Sequence, residues 1–215
     1  MQNKNEIQEV SKKTGISVKE LNRLNQDFWY HGTTLKDAEN IRENGVIASY
    51  NCERMLDFGT GFYLTDTHQR ASNYISRVPV ITASGGLERR KEWAVVEFMF
   101  NPCKLLFCNE NQYLYRNFPK HNEEFAEYVF HNRIDCVEGY KTYDLIWGVM
   151  SDSIPSEAII DYKKGKIPYE EVIKVLQKPN SMRQLYIGNQ VICDMLVLNN
   201  VYIEEECEDA KRIYS

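Results

Sequence analysis

The sequence predicts an α+β fold preceded by a short N-terminal helical arm. Two observations carry the prediction. Strand-like and helix-like runs are mixed along the chain without the regular alternation that a doubly wound parallel sheet requires. A chain of 215 residues, 43% of them hydrophobic, has material for one sizeable core but is cramped for two. Residues 1–26 are read as the arm and 27–215 as one domain.

In the arm, "EIQEVSKKTG" reads as a helix closed by Gly15. "SVKELNRLNQ" reads as a second helix, with Ser17 as N-cap and Glu20 as its capping-box partner. The pair is spaced like the first two helices of a helix-turn-helix. It lacks a third helix and is far below domain size, so a packed arm is preferred to a DNA reader.

In the domain, "FWYHG" is a short strand and "TLKDAENIRENG" a helix with Ala38, Ile41 and Val46 on one face, ended by Gly45. Residues 48–60 form a polar loop and "GFYLT" a strand. "DTHQRASNYISR" is a helix for which Asp66 is the expected N-cap. Residues 82–91 are a loop, "WAVVEFMF" is a central strand closed by Pro102, and "CKLLFC" is a second extended piece. Residues 121–133 form an amphipathic helix with Phe125, Tyr128 and Val129 inward. "YDLIWGVM" is a buried strand. "SEAIIDYKKG" and "PYEEVIKVLQK" are helices, the second entered through Pro168. "MRQLYIG", "NQVICDML" and "LNNVYI" complete the chain as strand, short helix and strand. No repeat or heptad array is present.

Net charge is −5, with negative charge concentrated in "EEECED". That balance disfavours nucleic-acid binding, though a local basic groove stays open. No apolar run approaches membrane-span length, and "MQNKNEIQEV" has no signal-peptide core. A cytoplasmic protein with no membrane partner is expected. The 6 cysteines form no C-x-x-C pair and read as free thiols, and the 4 histidines lack metal-site spacing, so no metal is expected.

Two segments stand apart from core chemistry: "FWYHGTT" and "DFGTGFYLT". The first places an imidazole, His31, before a glycine, Gly32, that lets a ligand approach the backbone. A backbone N–H and C=O exposed there pair with a planar amide. The second places Gly61 and Phe62 before Tyr63, and Tyr74 follows after one helical stretch. Two aromatic rings near a glycine-flanked strand suit the stacking of a flat heteroaromatic ring. Each residue alone is more often core; the conjunction is the signal.

"YHGT" and "GTGFYLTDTHQRASNY" resemble the first two motifs of the ADP-ribosyltransferase superfamily, on the branch of diphtheria toxin and the poly(ADP-ribose) polymerases. The chain is most similar to a bacterial family of uncharacterised proteins on that fold, which carry "DFGxGFYLT", a strand like "YDLIWGVMSD" and a late strand like "QLYI". The resemblance spans roughly residues 28–200. It implies a split β-sandwich with flanking helices and NAD⁺ as substrate. By the same resemblance His31 holds the ribose beside nicotinamide, Gly32 and Thr33 carry the backbone that holds the carboxamide, and Gly61, Phe62, Tyr63 and Tyr74 build the nicotinamide slot. His31, Tyr63 and Gln184 are the implied catalytic set.

Gln184 is the departure, because many relatives place a glutamate there on the ribose 2′-OH. A neutral amide still accepts that hydrogen bond, but more weakly than a carboxylate. The resemblance therefore implies mono-ADP-ribosylation of a protein or nucleic-acid acceptor rather than polymer synthesis. An intracellular bacterial toxin of a toxin–antitoxin or phage-defence pair fits, with an inhibitor protein as partner. NAD⁺ glycohydrolysis and non-catalytic NAD⁺ or ADP-ribose binding are the alternatives. Gln184→Glu is expected to bind NAD⁺ and raise glycohydrolysis, and His31→Ala and Tyr63→Ala to lose activity near the wild-type melting temperature. Asp57, Asp66, Glu97 and Asp152 are substitute carboxylates, each more often a cap or surface charge. Arg54, Arg70 and Arg77, and less so Lys36, are the cations near the motifs for a pyrophosphate.

Overall fold

A computed structural model describes residues 4–51, 56–108, 113–134, 142–151 and 155–206. The arm is two helices, α1 (Lys4–Thr14) and α2 (Val18–Leu24). Gly15 ends α1 with φ +72°, and the Ser17 hydroxyl caps α2 by accepting from the Glu20 N–H. The Glu20 side chain does not complete the capping box. It is buried and accepts instead from the Trp147 indole at 2.7 Å and Arg23 at 3.0 Å.

The domain follows as β1 (Phe28–Thr33), α3 (Leu35–Asn44), a 3₁₀ turn (Ala48–Asn51), β2 (Phe62–Leu64), α4 (His68–Arg77), β3 (Val80–Ile81), β4 (Leu87–Glu88) and β5 (Glu92–Met99). Then come α5 (Pro102–Phe107), β6 (Tyr115–Phe118), α6 (Glu123–Ile134), β7 (Leu145–Val149), α7 (Pro155–Lys163), α8 (Tyr169–Leu176), β8 (Arg183–Ile187), α9 (Gln190–Cys193) and β9 (Val197–Glu205). One sheet has the order β1-β5-β9, all antiparallel; the other has the order β2-β8-β7-β6, with only β6 and β7 parallel. This is an α+β architecture in which strand order follows neither simple hairpins nor regular crossovers.

Three apolar layers explain the arrangement. Between the sheets lie Trp29, Phe62, Leu64, Val96, Phe98, Trp147, Leu185 and Ile187, joined by Val10, Leu21 and Leu24 of the arm and Leu106 of α5. The arm is thus part of the main core. The far face of the second sheet, with Phe118, Ile146 and Tyr186, packs together with Phe58 of the preceding turn on α6 and α8 through Phe125, Val129, Val172 and Leu176. The far face of the first sheet packs Val95 and Trp93 under Ala71 and Ile75 of α4.

Local differences from the sequence expectation have local causes. "CKLLFC" is helical, because Asn101 caps α5 by accepting from the Lys104 N–H at 3.0 Å and Pro102 occupies the first turn. The proline that stops β5 also starts a helix. Thr67, not Asp66, caps α4; the Asp66 carboxylate takes Arg70 one turn on. The loop expected at 82–91 holds β4 of a small hairpin, which turns at Gly85 with φ +80°.

Candidate functional site

The two sheets meet at the edges of β1 and β2 through one backbone bridge, Tyr30 to Thr65. Tyr30 donates to the Thr65 carbonyl at 3.0 Å and Thr65 donates back at 2.8 Å. Along an antiparallel strand, alternate residues turn N–H and C=O to the same edge. Gly32, two residues past Tyr30, therefore turns its own N–H and C=O out of the edge that Tyr30 presents to β2. Among the described residues no backbone group pairs with them across that edge.

The sequence makes Gly32 a glycine for a second reason. A Cβ there would lie 2.3 Å from the Ala71 carbonyl oxygen and 3.0 Å from the Ile75 side chain. The Cα side of Gly32 is closed by α4; only its backbone edge is open.

His31 points to the other side of β1, between the sheets. Its Nδ1 lies 2.7 Å from the Tyr63 carbonyl oxygen and its ring centroid 4.4 Å from that of Phe62. A carbonyl oxygen only accepts, so Nδ1 carries the proton of this hydrogen bond. The imidazole thus spans the gap that opens between β1 and β2 just past their bridge. Phe62 is buried beneath it.

Tyr63 is half-buried. Its hydroxyl donates to the Gly59 carbonyl at 2.7 Å and accepts from the Phe58 N–H at 3.1 Å. Burial first, and then the Asp57 carboxylate, push this phenol well above its ordinary pKa, so it stays neutral. Gly61 lies under the Tyr186 ring, where a Cβ would meet Tyr186 at 2.2 Å. Tyr74 is 48% exposed on α4, one turn beyond Ala71, and among the described residues its ring touches no other. Thr33 is buried in β1 opposite Ala94, whereas Thr34 caps α3 by accepting from the Asp37 N–H. Thr33 thus offers the site no exposed side chain.

Gln184 is buried in β8, on the same face as Tyr186. Its Nε2 donates to Asp57 Oδ2 at 3.0 Å. Asp57, also buried, receives Arg133 Nε at 2.8 Å and Nη2 at 2.6 Å on Oδ1, the Ser151 hydroxyl on Oδ1 and the Ser151 N–H at 2.8 Å on Oδ2. Arg133 and Ser151 were not visible as site residues in the sequence. Each looks like an ordinary helix-end or loop residue, and only the fold brings them to Asp57.

The remaining candidates separate. Asp66 pairs with Arg70. Glu97 lies on the outer face of the first sheet, with Asn199 and Tyr202. Arg77 and Lys36 are exposed. Arg54 and Asp152 lie outside the described residues. Of the expected carboxylates, Asp57 alone is shown in contact with Gln184. Among the described residues no cluster of His, Cys, Asp or Glu is placed to hold a metal ion, and no helix is long and apolar enough to cross a membrane.

Residues 29–198 match the model of a family described as a protein of unknown function (DUF3990). The chain belongs to the DUF3990 family. The DUF3990 match begins at Trp29 in β1 and ends at Leu198 in β9, so His31, Asp57, Tyr63, Tyr74, Arg133, Ser151 and Gln184 all fall inside it. The helical arm lies outside it. No curated protein matches the chain.

Proposed function

We propose that the chain is a mono-ADP-ribosyltransferase that takes NAD⁺ as substrate. The observation that carries this reading is the outward N–H and C=O of Gly32 beside an imidazole held by the Tyr63 carbonyl. A carboxamide has one donor edge and one acceptor edge, and it complements that backbone pair. His31 then hydrogen-bonds the ribose next to nicotinamide. Tyr63 and Tyr74 are the walls of the nicotinamide slot, and Gln184 Oε1 is the acceptor for the ribose 2′-OH.

In this reaction the bond between ribose C1′ and the pyridinium nitrogen breaks. Its electron pair leaves with nicotinamide, which becomes neutral, and positive charge develops on the ribose. The acceptor's lone pair attacks C1′ and the acceptor releases its proton. The protein's part is positioning and stabilisation of the developing cation. Attack by a macromolecular nucleophile, on a protein or a nucleic acid, gives transfer; attack by water gives glycohydrolysis.

The test is incubation with NAD⁺ labelled in the adenylate half, together with bacterial lysate. Label is expected on macromolecules, with nicotinamide released in step. Free ADP-ribose without labelled macromolecules would move the assignment to a glycohydrolase, and NAD⁺ binding without nicotinamide release would move it to a binding module. His31→Ala is expected to lower turnover by about two orders of magnitude, because it unfixes the ribose. A His31→Ala protein as active as the wild type would remove the imidazole from the mechanism.

A further inference from the structure

An amide placed as a hydrogen-bond acceptor is useful only if its oxygen, not its nitrogen, faces the donor. Left alone, Gln184 would take either orientation at little cost. Asp57 removes that freedom. A carboxylate offers only lone pairs, so the side of the amide that faces Asp57 Oδ2 at 3.0 Å must be the NH₂ group. Oε1 is then turned the other way, and among the described residues nothing donates to it.

Asp57 is itself held against rotation. Two nitrogens of Arg133 and the Ser151 hydroxyl occupy Oδ1, and the Ser151 N–H shares Oδ2 with Gln184. Asp57 and Gln184 are both 4% exposed, so solvent does little to screen the pair. A carboxylate accepting from one end of an amide also polarises it and strengthens the oxygen as an acceptor.

We infer that Asp57 is a positioning residue that locks the Gln184 amide with Nε2 toward the carboxylate and Oε1 turned away from it. This rests on the NAD⁺ reading above, in which Oε1 meets the ribose 2′-OH. The amide at position 184 is held in its acceptor orientation by an acid one layer behind it.

The inference reverses the sequence-based expectation for Gln184→Glu. Glutamate at that position would place two carboxylates within hydrogen-bond distance, with Arg133 on α6 as the cation already committed to Asp57 and the neutral Tyr63 phenol nearby. Uptake of one proton relieves the repulsion. The introduced side chain, once protonated, also regains a donor toward Asp57, with its other oxygen turned away from that carboxylate.

Nicotinamide release by the wild type, Gln184→Glu and Asp57→Asn is therefore measured from about pH 5.5 to about pH 8.5, with kcat and KM separated at each pH. At the alkaline end both variants are expected to lose about tenfold or more in kcat with KM for NAD⁺ within about threefold. Gln184→Glu is expected to recover several-fold relative to the wild type as pH falls, a readout that a merely structural defect would not give. Gln184→Glu keeps the Asp57–Arg133 pair, so it carries the test if Asp57→Asn does not fold. A Gln184→Glu enzyme as fast as the wild type at the alkaline end, or one with no acid recovery, overturns the inference while leaving the NAD⁺ reading intact. A wild-type protein that neither binds nor cleaves NAD⁺ overturns both.

Discussion

The phenol of Tyr63 closes a turn of its own chain, donating to Gly59 and accepting from Phe58, while its ring packs on Tyr186 with centroids 5.2 Å apart. Tyr63→Ala therefore removes packing as well as the proposed slot wall, and it is not expected to melt near the wild-type temperature. Tyr63→Phe separates the two roles. Loss of the hydroxyl is expected to cost about 1–2 kcal/mol and to lower Tm by roughly 2–8 °C, with the aromatic wall preserved. A melting curve that superimposes on the wild type would mean that the turn does not depend on the phenol. At this scale the sequence was informative where chemistry is local. His31, Gly32 and Tyr63 sit in two short motifs, and the fold brings the His31 ring to the Tyr63 carbonyl. The Asp57 to Gln184 bond joins positions 127 residues apart, and no local pattern in either segment announces the other.

Helix α4 shows the same division among elements. Its existence and length follow from sequence periodicity. Its closeness to β1 follows from a missing methyl group at Gly32, which no periodicity reports. Gly32→Ala must push the Ala71 carbonyl away and is expected to cost about 1–3 kcal/mol, read as a lower urea midpoint. An unchanged midpoint would show that β1 and α4 have room to part. Elsewhere, propensity misled where capping decided. "CKLLFC" has strand-like apolar residues, yet Asn101 and Pro102 ahead of it are a start signal that outranks them. Strand β6 lay hidden because Tyr115–Phe118 pairs only with β7, a neighbour that the short motif does not reveal.

Across the whole molecule, the arm belongs to the central core rather than beside it. Glu20 joins it to the second sheet through Trp147 and lies 3.3 Å from Arg183. Burial raises Tyr30 and Tyr186 from 10.0 to about 12, Cys103 from 9.0 to about 11 and Cys193 from 9.0 to about 12. Each folded value lies above its unfolded one, so the stabilising contribution is whole below the unfolded value and is lost as pH climbs through the folded value. Tm is expected to show no loss from these groups at neutral pH, to begin falling near about pH 9 and to keep falling to about pH 12, the range these shifts define. A Tm that holds level through that range would mean that these groups are solvated in the folded protein.

The anchor made by Asp57, Arg133, Ser151 and Gln184 also has a meaning in time. Its four members are encoded far apart, and the last of them arrives only when the ribosome has nearly finished the described chain. A nascent polypeptide that already displays the histidine and both glycine motifs still lacks the strand that completes the cluster. Whatever this cluster supports is therefore withheld until β8 has been made and has paired between β2 and β7.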